Sequence, residues 1–124
     1  MFINLTPHAI VVRLNDGNGT DVTFPPSGKI ARVDELPTQI VGEVDGIPIL
    51  SRTVFGQVID LPEPTEGIRY IVSGLVAGVV YRADVFAPAT GPKDNAIRNE
   101  RGHIIAVVAL KATTNGISSG VVIC

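Results

Sequence analysis

The side chains best suited to chemistry in this sequence are arginines set beside chain breakers. Arg32 follows Pro25-Pro26-Ser27-Gly28, Arg52 follows Gly46-Ile47-Pro48, Arg82 follows an apolar stretch, and Arg98 and Arg101 follow a loop rich in Pro and Gly. A guanidinium is permanently charged and presents a planar fork of donors, which matches the paired oxygens of phosphate. As a set, the five arginines point to a loop surface that binds an anion. Phe86, in Asp84-Val85-Phe86-Ala87-Pro88, has either a place in the core or a ring face on which a purine stacks. Asn95 either caps a local turn through its short amide or reads a base edge, with the turn the simpler account.

Signs of turnover are missing from the pattern. His8 and His103 are the two histidines, far apart in the chain and without a carboxylate at metal-ligand spacing, so neither a cofactor nor a metal is expected. Each reads more simply as a polar cap or turn residue. The sequence contains no Walker A loop, G-x-G-x-x-G run, G-x-S-x-G elbow or H-E-x-x-H motif. An acid and base would have to be assembled from Asp84 with His8 or His103, so the expectation is a binder and not an enzyme. Cys124 is the one cysteine, which precludes an internal disulfide.

Composition narrows the partners. Ten Lys and Arg against twelve Asp and Glu give a net charge of -2, too little positive field to gather duplex nucleic acid. A small anion needs only a few local cations. The aromatic content, four Phe, two Tyr and no Trp, is also thin for a single-strand stacking platform. No apolar run approaches the roughly 18 residues of a membrane span, and the start lacks a basic, cleavable leader, so a cytoplasmic protein without a membrane partner is expected.

The elements that must position these side chains are short and β-rich. With 124 residues, 45% hydrophobic and 18% charged, the chain fits one compact domain with a core of its own. Strands are predicted over 2–5, 8–14 and 21–24, the last two forming a hairpin about the turn cluster 15–19. Further strands are predicted over 29–33, 38–44 and 47–54, the latter two paired through Asp45-Gly46, whose residues tolerate positive φ. Residues 57–61 and 69–73 continue the β pattern. Ser73 can cap a helix over 73–81 with Leu75, Val76, Val79 and Val80 on one face. An extended piece over 82–86 then leads into a breaker-rich loop over 87–95. The apolar run 104–110 reads as a fully buried central strand, and 120–123 as an edge strand or oligomer contact. The expected class is α+β, mainly antiparallel sheet with one or two short helices in a single domain spanning 1–124.

Five segments stand in a familiar order: Asn4-Leu5-Thr6-Pro7-His8; Pro26-Ser27-Gly28 with Ala31-Arg32-Val33; Tyr70-Ile71-Val72-Ser73; Arg82-Ala83-Asp84-Val85-Phe86-Ala87-Pro88; and Ile97-Arg98 through Gly102. In this the chain resembles the first family of phage anti-Thoeris sponge proteins. Members of that family bind glycocyclic ADP-ribose, the signal made by bacterial TIR-domain proteins, without degrading it, and some are hexamers that also sequester the cyclic trinucleotides of CBASS immunity at a separate site. The resemblance implies a phage protein of the host cytoplasm that sequesters a cyclic nucleotide, as a dimer or a hexamer. It carries the ligand-clasping role to Arg32, Phe86 and Asn95, and to Lys111, where the family has an arginine. Arg52, Arg98 and Arg101 are the candidates for the trinucleotide site from their charge and loop setting. The competing reading is a small structural or accessory virion protein, since a Gly- and Pro-rich chain of apolar strands also suits an assembly module.

Overall fold

A computed structural model describes residues 1–115. Twelve short strands and one helical turn make up its regular structure, in a single β-rich fold. The strands are β1 (Phe2–Asn4), β2 (Ile10–Arg13), β3 (Asp21–Phe24), β4 (Arg32–Glu35), β5 (Ile40–Val44), β6 (Ile47–Leu50) and β7 (Phe55–Ile59). They continue with β8 (Arg69–Ile71), the helix α1 (Gly74–Ala77), β9 (Val85–Pro88), β10 (Ile97–Arg98), β11 (Ile104–Ala106) and β12 (Leu110–Ala112).

The central sheet has the order β1-β8-β9-β12. Its first three strands run parallel and β12 returns antiparallel to β9. The parallel β8 to β9 step is a crossover that passes through α1, as a parallel pair requires. Around this sheet, β2-β3, β4-β7, β5-β6 and β10-β11 form two-stranded antiparallel ladders. Leu5, Ala31, Tyr70, Val72, Val76 and Val85 build the core between the sheet and α1, with Val58, Leu61 and Val80 packed against it.

A second, polar anchor fixes the amino-terminal segment. Asn4 is 2% exposed, and its amide nitrogen donates to the carbonyls of His8 and Phe24 at 2.8 Å each. Its Oδ1 accepts the Thr6 backbone N–H at 2.9 Å and lies 2.7 Å from Thr6 Oγ1. A buried amide is tolerated only when its donors and acceptors are filled, and here they are. The Asn4-to-His8 segment therefore has a structural explanation independent of any ligand.

Both hairpins appear where the turn chemistry placed them. β2 pairs with β3 from Ile10↔Phe24 to Arg13↔Asp21. β5 pairs with β6 around Asp45 (φ 51°) and Gly46 (φ 79°), the double positive φ that a tight hairpin turn needs. Elsewhere the structure corrects the sequence reading. The strand expected over 29–33 begins later, at Arg32, because Gly28 (φ 91°) prolongs the turn and the Ala31 N–H is spent on the Leu5 carbonyl.

The expected helix over 73–81 shrinks to one turn. Ser73 caps it by accepting the Val76 N–H at 3.3 Å, as foreseen, but Gly78 ends it and Leu75 and Val79 face outward. The run 104–110 is not a buried central strand. Ile104 and Ile105 are exposed, and only Ala106 and Val107 are buried. The run changes partners midway: β11 pairs with β10, Val107 bonds the β2 backbone, and β12 joins the central sheet. Residues 120–123 lie outside the described residues.

Candidate functional site

Arg32 opens β4, immediately after the turn that Ser27 and Gly28 shape. The Ser27 N–H bonds the Asn4 carbonyl at 3.0 Å, and Ala31 bonds Leu5, so the segment leading to Arg32 is fastened to the β1 end at two points. Register then sets its neighbour: Arg32 pairs with Ile59, which brings Asp60 beside it. Arg32 Nη2 lies 3.7 Å from Asp60 Oδ2, and the two side chains are 66% and 61% exposed. At that distance the pair is an ion pair without a tight hydrogen bond, so the guanidinium remains available to a ligand.

A groove of about 570 Å³ lies against these residues, within the roughly 300–1,000 Å³ typical of ligand sites. Lys29, Arg32 and Asp60 supply its charges and Ile30, Leu61 and Pro62 its apolar wall. The far wall is clipped by Arg82. That guanidinium donates to the Pro62 carbonyl at 3.0 Å while its Nε and Nη2 grip Asp84 at 3.0 and 2.7 Å. The hydrogen bonds and charge of Arg82 hold the Asp84 carboxyl below the usual carboxylate range, against the opposing effect of burial. Arg82 is thus committed to structure, and Asp84 is an ion-pair partner with no histidine beside it in any hydrogen bond; His8 and His103 are both exposed.

Of the other residues implied by the resemblance, Lys111 lies on the other side of α1. A smaller groove of about 280 Å³ is lined by Lys111 with Gly74, Ala77 and Gly78 of the helical turn and Gly91 of the following loop. Arg32, by contrast, shares its second groove with Ser73, Leu75 and Val76. Lys111 Nζ binds Asp94 Oδ2 at 2.6 Å, and the same oxygen accepts the Gly91 N–H at 2.7 Å. These two donors, Lys111 first, lower the Asp94 pKa.

Asn95 sits next to Asp94 at φ 57°, a left-handed turn position that Asn tolerates, and its side chain is exposed. Phe86 takes the core place. It is 6% exposed, with its ring edge-on to Phe2 at 5.9 Å, so it is a core residue and offers no open face for stacking. Of its two readings, packing holds within the protomer.

Arg98 and Arg101 share the β10–β11 hairpin, with Arg98 Nη1 donating to the Gly102 carbonyl at 2.7 Å. Arg52 stands apart in the connection between β6 and β7, and no hydrogen bond joins it to the other two among the described residues. Lys29, Asp60, Leu61 and Pro62 were not singled out by the sequence reading. Only the Arg32↔Ile59 register places Asp60, Leu61 and Pro62 beside the segment from Lys29 to Arg32. No group of three or more His, Cys, Asp or Glu side chains suited to a metal gathers among the described residues, and no helix is long and apolar enough to cross a membrane. A scan of protein-family models, a search of curated proteins and a search of solved structures each found no match.

Proposed function

We propose that the protein is a non-catalytic sponge for a cyclic nucleotide signal of glycocyclic ADP-ribose type, gripping the diphosphate with Arg32 and Lys29. The observation that carries this reading is the groove at β4: two cations and three apolar side chains line it, and its volume suits a dinucleotide. Sequestration needs affinity and no more. A site of donors and apolar surface with no paired acid and base answers that need, since turnover requires groups that act only in the transition state.

The groove supports a division of labour. The guanidinium forks onto phosphate oxygens, the ammonium adds a second point charge, and Ile30, Leu61 and Pro62 cover the base or ribose. Asp60, only loosely paired with Arg32 at 3.7 Å, gives way to the stronger anion. The test is calorimetric titration with glycocyclic ADP-ribose, followed by heat denaturation of the complex and chromatography of the released ligand. Saturable binding that Arg32→Ala and Lys29→Ala weaken, with intact ligand recovered, is the expected result. Degraded ligand excludes a sponge, and unaltered binding in both variants moves the site elsewhere.

A further inference from the structure

Arg32 borders two grooves at once. Ala31 beside it is 3% exposed and belongs to the core, whereas Ile30 is 41% exposed and the Arg32 side chain 66%. Both outward side chains line the groove that holds Lys29 and Pro62, and both also line a second groove of about 280 Å³ against α1. The two hollows therefore adjoin. They differ in chemistry: the larger carries Lys29, Arg32 and Asp60, while Arg32 is the one charged residue lining the other, whose walls include Pro7, Val33, Leu75 and Val76. Leu75 is 52% exposed and Pro7 is exposed as well, apolar surface that a ligand would take out of water. At its size the α1 groove falls just short of the roughly 300–1,000 Å³ of a whole ligand site and suits part of a ligand.

We propose that the α1 groove is the base subsite for the nucleotide held at Arg32, an assignment that rests on the sponge reading and divides its ligand between the two grooves. The purine lies against Pro7, Val33 and Leu75, the diphosphate sits on Arg32 and Lys29, and the ribose beyond it rests on Leu61 and Pro62. Charge decides this orientation. A base laid in the larger groove would strip water from Lys29 and Asp60 without pairing either, whereas in the α1 groove it desolvates only Arg32, which the phosphate neutralises. Because Arg32 borders both grooves, a base joined to phosphate through its sugar reaches the apolar walls while the phosphate stays on the guanidinium. One polar group serves the base edge. The Thr6 hydroxyl is spent on Asn4 and the His8 carbonyl. Ser73 Oγ accepts the Val76 N–H at 3.3 Å, and its own proton goes to no acceptor among the described residues, so it is the donor for a purine ring nitrogen.

The experiment is an NMR titration of the isotope-labelled full chain, wild type and Leu75→Gln, with inorganic pyrophosphate and separately with glycocyclic ADP-ribose. Gln is a good helix former and Leu75 is already half in solvent, so the variant is expected to melt as the wild type does. Pyrophosphate is expected to move the backbone signals of Lys29 and Arg32 and to leave those of Leu75 and Val76 in place; the nucleotide is expected to move all four. Leu75→Gln is expected to weaken the nucleotide about fivefold or more, the loss of one apolar contact, with pyrophosphate affinity unchanged. Nucleotide binding that leaves Leu75 and Val76 unmoved and is equal in the two proteins overturns the base subsite while the sponge reading stands. An equal loss of both probes in Leu75→Gln marks a displaced Arg32 and overturns it too. No nucleotide binding by the wild type removes the sponge reading, and this assignment with it.

Discussion

Arg32 and Asp60 stand side by side at the end of the β4–β7 ladder, 3.7 Å apart and both largely in solvent. An exposed pair of this kind contributes about 0–1 kcal/mol to stability. Arg32→Ala is therefore expected to leave the melt nearly unchanged while weakening nucleotide binding by about 30-fold or more, the loss of a charge-assisted fork on phosphate. Asp60→Asn should act in the opposite sense, tightening binding because the competing carboxylate is gone. Titration calorimetry on the two variants checks both signs; equal affinities in wild type, Arg32→Ala and Asp60→Asn would remove the site.

Asn4 and Thr6 make the opposite case, a polar pair whose value is structural. Replacing Asn4 by Ala orphans the buried Thr6 N–H and the part-buried Phe24 carbonyl, while the His8 carbonyl keeps the Thr6 hydroxyl as donor. Each unsatisfied group costs about 1–3 kcal/mol, relieved in part by entering water. Asn4→Ala is expected to lose about 3 kcal/mol in urea unfolding, with Asn4→Asp little better because the acid lacks the two amide donors. A loss under about 1 kcal/mol would show that the network is not a stabilising anchor.

How far the sequence foretold this arrangement depended on whether a feature was local. The Asp45-Gly46 hairpin, the Ser73 cap and the β2–β3 pairing rest on adjacent residues and were readable. The fate of the run 104–110 was not. Its apolar pattern is continuous, but its partners are β10, the β2 backbone and β9 in turn, and only the tertiary pairing reveals that Ile104 and Ile105 stay in solvent. Phe86 illustrates the same limit: nothing in Asp84-to-Pro88 distinguishes a stacking ring from one that meets Phe2 on a distant strand. For the site, Arg32 was legible as a cation beside a rigid turn. Asp60, Leu61 and Pro62 belong to it only through the β4–β7 register.

The Arg82–Asp84 pair predicts an acid limb in the stability curve. Asp84 is 16% exposed and accepts two guanidinium hydrogen bonds, and its folded pKa is lowered by them. A carboxyl depressed on folding contributes stability that is complete above its unfolded pKa of about 4 and is lost as pH falls through the folded value. Asp84→Asn is therefore expected to cost about 1–2 kcal/mol at pH 7 and less at pH 2, toward which the wild type loses the same contribution. Urea unfolding of both proteins at the two pH values checks it, and a constant difference would rule out the ion pair as the source. Because Arg82 also holds the Pro62 carbonyl, the same variant should loosen the groove wall and weaken ligand binding at neutral pH.

Asn95 separates a turn from a recognition element by a single exchange. Its φ of 57° is costly for residues with a Cβ, and Asn and Gly bear it best. The neighbouring Asp94 already closes the loop by accepting from Gly91 and Lys111, so the Asn95 amide is not needed for that closure. On the turn reading, Asn95→Gly keeps the melt within about 0.5 kcal/mol of the wild type and Asn95→Ala costs about 1 kcal/mol. Nucleotide affinity should then be the same in both variants, because the groove at Arg32 lies on the other side of α1. An amide that reads a base edge predicts the reverse order: Asn95→Gly would melt normally yet lose binding, by about 1–3 kcal/mol for a bidentate contact. Differential scanning calorimetry paired with ligand titration on the two variants decides between these outcomes, and a well-folded Asn95→Gly protein with weakened binding would return Asn95 to the ligand.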